Sequence, residues 1–189
     1  RDHVAALRSR QLDVAFFSGS GEVPDCEIAE LWHERVHVAL PVSHPLSSYE
    51  RLDWPMLRDQ QFIVTRREPG PEVHDYIVRR VADYSTYPRV EHKPCSQETL
   101  MSLVALGQGI TLVSSVWTEV RRPGLVFRPL TACEDVVPFS AVWSPDNDNP
   151  ALRRFVSVAY LLAGRSRHGK ALTVRAQRPN AGGRDRLKP

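Results

Sequence analysis

Short apolar runs of strand length alternate along this chain with stretches whose apolar residues recur at helical spacing. Val4 and Leu7, with Ala5 beside them, read as the last turns of a helix that the chain leaves at Ser9 and Arg10. "LDVAFF" (12–17) is an apolar run closed by "SGSG", the pattern of a short buried strand and a turn. "PVSHPLSS" breaks any regular element, and "LDWPMLRDQ" reads as a short helix or turn leading into the strand "QFIVT" (61–65). Gly70 then precedes Pro71 at a first-turn position, Glu72 favours the helix dipole, and Val73, Ile77 and Val81 repeat at helical spacing. "RVEHK" predicts a strand. Ser96 can cap a helix carrying Leu100, Leu103 and Val104, after which "ITLVS" predicts a strand. "LVFRPL" and "VVPFSAVWS" predict two more. Pro150 starts a last helix, with Leu152, Phe155, Val156, Ala159 and Tyr160 expected on one face. Strands alternating with helices predict an α/β class with a largely parallel core.

Composition adds few constraints. The chain has 189 residues, 42% hydrophobic and 25% charged, as in a globular protein of one domain or two small lobes. No apolar run approaches the roughly 20 residues of a membrane span, and the amino terminus lacks a signal-peptide core. Both point to a cytoplasmic protein with no membrane partner. The three cysteines (Cys26, Cys95 and Cys133) are far apart and form no C-x-x-C pair, which suits three reduced thiols. Charge is unevenly spread. Residues 165–189 hold eight Lys or Arg against one acid, a net +7, whereas 17 bases and 21 acids leave residues 1–164 at −4. The body therefore does not read as a nucleic-acid surface. The end of the chain reads as a basic, disordered tail, with weak attraction to polyanions as the alternative.

One motif invites an enzymatic reading. "HERVH" (33–37) matches the H-E-x-x-H pattern in which two histidines one helical turn apart hold zinc and the glutamate polarises its water. Residues 26–40 stay ambiguous in this respect, since Ile28, Leu31, Trp32, Val36, Ala39 and Leu40 could form one helical face. Three features weigh against it. The extended form of the motif requires Gly at position 40 and His at 43, where this chain has Leu40 and Ser43. Pro41 disfavours helical geometry at Leu40. Val36, Val38 and Leu40 alternate at period two, which fits a strand, and a strand would hold His33 and His37 about 13 Å apart. No catalytic residue, metal ligand or cofactor is therefore assigned. "GQG" (107–109) follows a helix and precedes a strand, the reverse of a dinucleotide fingerprint. Gly107 reads as the left-handed residue ending the helix and Gly109 as a turn into the strand.

Three stretches, in order, resemble the effector-binding domain of LysR-type transcriptional regulators: "LRSRQLDVAFF", "ELWHERVHVALPVSHPL" and "LVALGQGITLVSS". The matching positions are Asp13 and Ala15; Pro41, His44, Pro45 and Leu46; and Gly107, Gly109 and Ile110. The resemblance covers about residues 1–163. It implies an α/β, two-lobed fold like that of type 2 periplasmic binding proteins, with a ligand cleft between the lobes. The first lobe would be residues 1–45 with 131–164, and the second 46–130, with crossovers near "PVSHP" and "RPLTAC". The family's domain begins with a strand and most of a helix ahead of the stretch matched here, so the first lobe is expected to be incomplete. The resemblance further implies a homodimer or higher homo-oligomer, with DNA bound only through a helix-turn-helix module absent from this chain.

Ligands in open α/β sheets gather beyond the carboxyl ends of strands. Those ends offer Phe17, Ser18 and Gly19 after the first strand, Thr65, Arg66 and Arg67 after "QFIVT", and Ser96 and Gln97 at a helix start. Hydroxyls, helix-start amides and guanidinium groups suit a small carboxylate effector. Two alternatives stay open: a periplasmic-type solute-binding protein of the same fold, and a zinc-dependent hydrolase acting through "HERVH".

Overall fold

The computed structural model describes residues 2–19, 23–84 and 87–165; the basic segment from residue 166 onward lies outside them. The chain divides into two compact units, one built from the residues up to Trp32 and from Pro138 onward, the other from His33–Val137. The division falls earlier than residue 45 and later than residue 131. The cause is strand pairing: residues 36–41 bond to partners inside the second unit, so they fold with it.

In the first unit, α1 (Asp2–Arg8) leads to β1 (Ala15–Ser18), which pairs antiparallel with β7 (Val136–Trp143) and lies at the sheet edge among the described residues. The start of β1 is tied down by Asp13, whose carboxylate accepts from the side-chain amides of Asn147 (2.9 Å) and Asn149 (3.2 Å). Helix α5 (Pro150–Arg165) follows. Its buried residues are Leu152, Val156 and Ala163, with Ala159 and Tyr160 half-buried. Phe155 departs from the expected face: it is exposed and meets exposed Phe16 edge to face, centroids 6.0 Å apart.

The second unit begins inside β2 (Glu27–Pro41), a 15-residue strand. The chain continues through a 3-10 turn (Pro45–Ser48), where His44 Nδ1 accepts from Leu46 N (3.1 Å), and α2 (Trp54–Leu57), capped by Asp53. Then come β3 (Gln61–Thr65), α3 (Gly70–Ala82), β4 (Arg89–Lys93), α4 (Gln97–Ala105), β5 (Thr111–Ser114) and β6 (Leu125–Pro129). Strands β3 and β4 pair in parallel, and Phe62 makes a parallel bridge to Ile110 ahead of β5. Strand β2 pairs antiparallel with both β5 and β6. The expected parallel core is thus found at β4, β3 and the approach to β5, with one further parallel bridge between Leu52 and Leu130. The long strand β2 instead runs against β5 and β6.

Period-two alternation distributes the core over two faces. Val36, Val38, Leu40, Phe62, Val64 and Leu112 point to one side, with Ile77 and Val81 of α3. Ala39, Ile63 and Val113 point to the other, with Leu100, Met101 and Val104 of α4. Covering on both faces is why "QFIVT" is almost continuously apolar. Gly107 has φ +77° and ends α4 as expected. Gly109 (φ +149°) does more than turn: a Cβ there would lie 2.8 Å from Gln61 O, so glycine lets the chain press against β3.

Candidate functional site

The carboxyl ends of β3 and β4 meet in register, Thr65 opposite Lys93, and Arg66 N donates to Lys93 O at 2.9 Å. Cys95 N donates to the same carbonyl (2.9 Å), turning the chain toward α4. Thr65 is 2% exposed, and its hydroxyl donates to Arg67 O at 2.6 Å. The same carbonyl accepts from Gly70 N at 2.9 Å, folding residues 65–70 into a tight loop. Glycine is required where this loop enters α3, because a Cβ on Gly70 would fall 1.7 Å from Thr65 O.

This loop leaves the side chains of Arg66 and Arg67 exposed and without a hydrogen bond or ion pair among the described residues. Lys93 is different, being paired to Glu91 at 2.6 Å. Ser96 caps α4 by accepting from Thr99 N at 3.2 Å, and Gln97 opens the helix half-buried. Thr65, Arg66, Arg67, Ser96 and Gln97 therefore flank two adjoining strand ends. Exposed guanidinium groups and a helix start are the kinds of group that can bind an anion. In the first unit, Phe17 and Ser18 pair with Ser140 and Phe139 at the end of β1, and Gly19 N donates to Pro138 O at 2.9 Å with φ +102°. Phe17 packs partly into the core beside Ala15 and Val142, whereas Ser18 is exposed.

"HERVH" lies within β2, so the helical geometry of a zinc peptidase is not formed. Glu34 is engaged elsewhere, since its Oε2 accepts from Val116 N (3.0 Å) and Ser115 Oγ (3.3 Å) and so caps the 3-10 turn Ser115–Thr118. His37 Nδ1 lies 3.2 Å from Arg35 O, and burial holds its imidazole below the usual range. No group of three or more His, Cys, Asp or Glu that could hold a metal occurs among the described residues.

The sequence profile of the LysR substrate binding domain matches residues 1–160. The chain belongs to this family. Among its relatives are the HTH-type transcriptional regulator XapR of Escherichia coli (strain K12), 30% identical over 131 residues, and TtuA of Agrobacterium vitis, 27% identical over 146. Those alignments cover 67% and 75% of this chain but 43% and 48% of the relatives, so the chain spans about half their length. Full-length CbnR, solved in complex with its target DNA, is similar in fold, with TM-score 0.76, 20% identity, and 86% of this chain covered against 57% of that one. The BenM effector binding domain with its effector benzoate gives TM-score 0.72 at 21% identity, covering 86% of this chain and 76% of that one.

This LysR-family chain also contains a polar cluster that the sequence did not announce. Asp135, between β6 and β7, has a fully enclosed side chain. Its Oδ2 accepts from Trp54 Nε1 (3.0 Å), while Oδ1 accepts from Tyr76 Oη, Arg80 Nε (2.7 Å) and Arg80 Nη2. Burial, reinforced by the hydrogen bond to Asp135, pushes the Tyr76 phenol well above its usual range. The cluster fastens the segment entering β7 to α2 and α3. The only hint in the sequence was Tyr76 and Arg80 one helical turn apart; nothing pointed to a carboxylate 55 residues from Arg80.

Proposed function

We propose that this chain is the effector-sensing part of a LysR-type transcriptional regulator, and that its effector is a small carboxylate rather than an enzymatic substrate. The family match over residues 1–160 supports the sensing role. The observation that carries the choice of ligand is the pair of exposed, unpaired arginines, Arg66 and Arg67, directly after β3, where the paired strand β4 leads into the capped start of α4. A carboxylate there would take charge-assisted hydrogen bonds from an arginine and further ones from Ser96 or Gln97, while Thr65, its hydroxyl already donated to Arg67 O, shapes the loop rather than meeting the ligand. Phe17, Ser18 and Gly19 are proposed as further contacts on the resemblance alone. The BenM domain, whose bound effector is benzoate, supports an aromatic carboxylate as one candidate class.

Binding would act by population shift, favouring one conformation of a homo-oligomer and so altering how the complete regulator engages DNA. Such a regulator works in the cytoplasm. No helix of the described residues is long and apolar enough to cross a membrane.

The test is thermal unfolding against a panel of aromatic and aliphatic carboxylates, benzoate included. A ligand at one hundred times its Kd should stabilise the chain by about 2.7 kcal/mol, and Arg66→Ala and Arg67→Ala should reduce that shift. If no carboxylate stabilises the chain at millimolar concentration, this choice of effector is wrong.

A further inference from the structure

One seam of the second unit carries metal-ligating chemistry that the effector reading leaves unused. Helix α3 buries Ile77 and Val81, and Val90 of β4 packs beside them. Strand alternation places His92 on the same side of β4 as Val90, and helical spacing places His74 on the face that carries Ile77. At the carboxyl end of β4 the apolar seam thus gives way to two imidazoles. Their ring centroids are 5.0 Å apart and their planes tilted by 40°. Zinc–nitrogen bonds of about 2.0–2.1 Å place two ligating nitrogens roughly 3–4 Å apart, a spacing that adjacent rings at this separation can supply.

A second observation points the same way. His74 Nδ1 lies 3.1 Å from Asp75 Oδ1. An Nδ1–H donated to that carboxylate selects the tautomer that leaves the Nε2 lone pair available, the usual arrangement behind a metal-binding histidine. His92 has no hydrogen-bond partner among the described residues, and its side chain is open to solvent. We propose that His74 and His92 form an open two-imidazole site for one divalent transition-metal ion such as Zn²⁺ or Ni²⁺, with Asp75 orienting His74. Imidazole suits these ions. Water completes the coordination, since no third His, Cys, Asp or Glu joins the pair among the described residues. Bound metal would clamp α3 to β4 one residue before Lys93, which pairs with Thr65 at the end of β3. The proposal does not depend on the effector being a carboxylate.

The competing account is simple packing of two rings, and metal titration separates the two. The full chain, purified metal-free and without a polyhistidine tag, is titrated with ZnCl₂ and NiCl₂ by calorimetry. The imidazole NMR signals of its seven histidines are followed in parallel. We expect one ion per chain, with shifts in two histidines, and at least tenfold weaker binding in both His74→Gln and His92→Gln. Asp75→Asn should weaken binding about tenfold. Binding retained by both glutamine variants, shifts confined to other histidines, or no binding at about millimolar metal would each overturn the proposal. Should His74→Gln fail to fold, the exposed His92 and the wild-type spectra still decide it.

Discussion

His33 and His37 are four residues apart and share one strand, where a rise of about 3.3 Å per residue holds them roughly 13 Å from each other. His74 and His92 belong to different elements, a helix and a strand, yet their rings lie 5.0 Å apart. The first pair carries a famous spelling and no shared ligand geometry; the second has no spelling and the geometry of a shared ligand. A motif encodes proximity only through the secondary structure it assumes. The intervening glutamate makes the same point: on a helix it would face a metal-bound water, but on β2 it caps a 3-10 turn.

The largest expected effect comes from removing what anchors α3. Asp135→Ala leaves Arg80, Tyr76 and Trp54 without their buried acceptor and should cost roughly 3–5 kcal/mol in urea unfolding. If the seam depends on that anchor, metal affinity at His74 and His92 falls as well; unchanged affinity would show that the seam holds itself. Glu34→Ala should cost about 1 kcal/mol through loss of the cap and leave zinc binding unchanged. A loss of zinc binding would return "HERVH" to consideration.

The smallest effect is a pH dependence. Burial depresses the folded-state pKa of His37, so its contribution to stability is present above the ordinary value of about 6.5 and is lost as pH falls through the folded value. Urea midpoints measured between neutral pH and pH 5 should decline less in His37→Gln than in the wild type. An identical decline would mean that the His37 imidazole is not disfavoured by its surroundings.

Much of the architecture was legible because apolar periodicity and burial are linked locally. "QFIVT" reads as a strand because both faces are covered, and residues 70–82 read as a helix because Gly70, Pro71 and Glu72 suit its first turn. The end of β3 at Thr65 and the start of α4 at Ser96 and Gln97 were legible for the same reason. Pairing direction was less so, since antiparallel and parallel neighbours demand similar side chains. The place where the two units divide was also hidden, because it depends on which strands residues 36–41 join.

By itself the sequence determined the element order outside residues 26–40, the α/β class, the glycine junction at 107–109 and the family resemblance, all of which arise from local spacing and backbone preference. Only tertiary structure decided that Glu34 caps a turn, that Asp135 gathers Trp54, Tyr76 and Arg80, and that His74 meets His92. Hydrogen bonds and ligand sites depend on distances of a few ångströms, and for residues far apart in the chain those distances are set by packing.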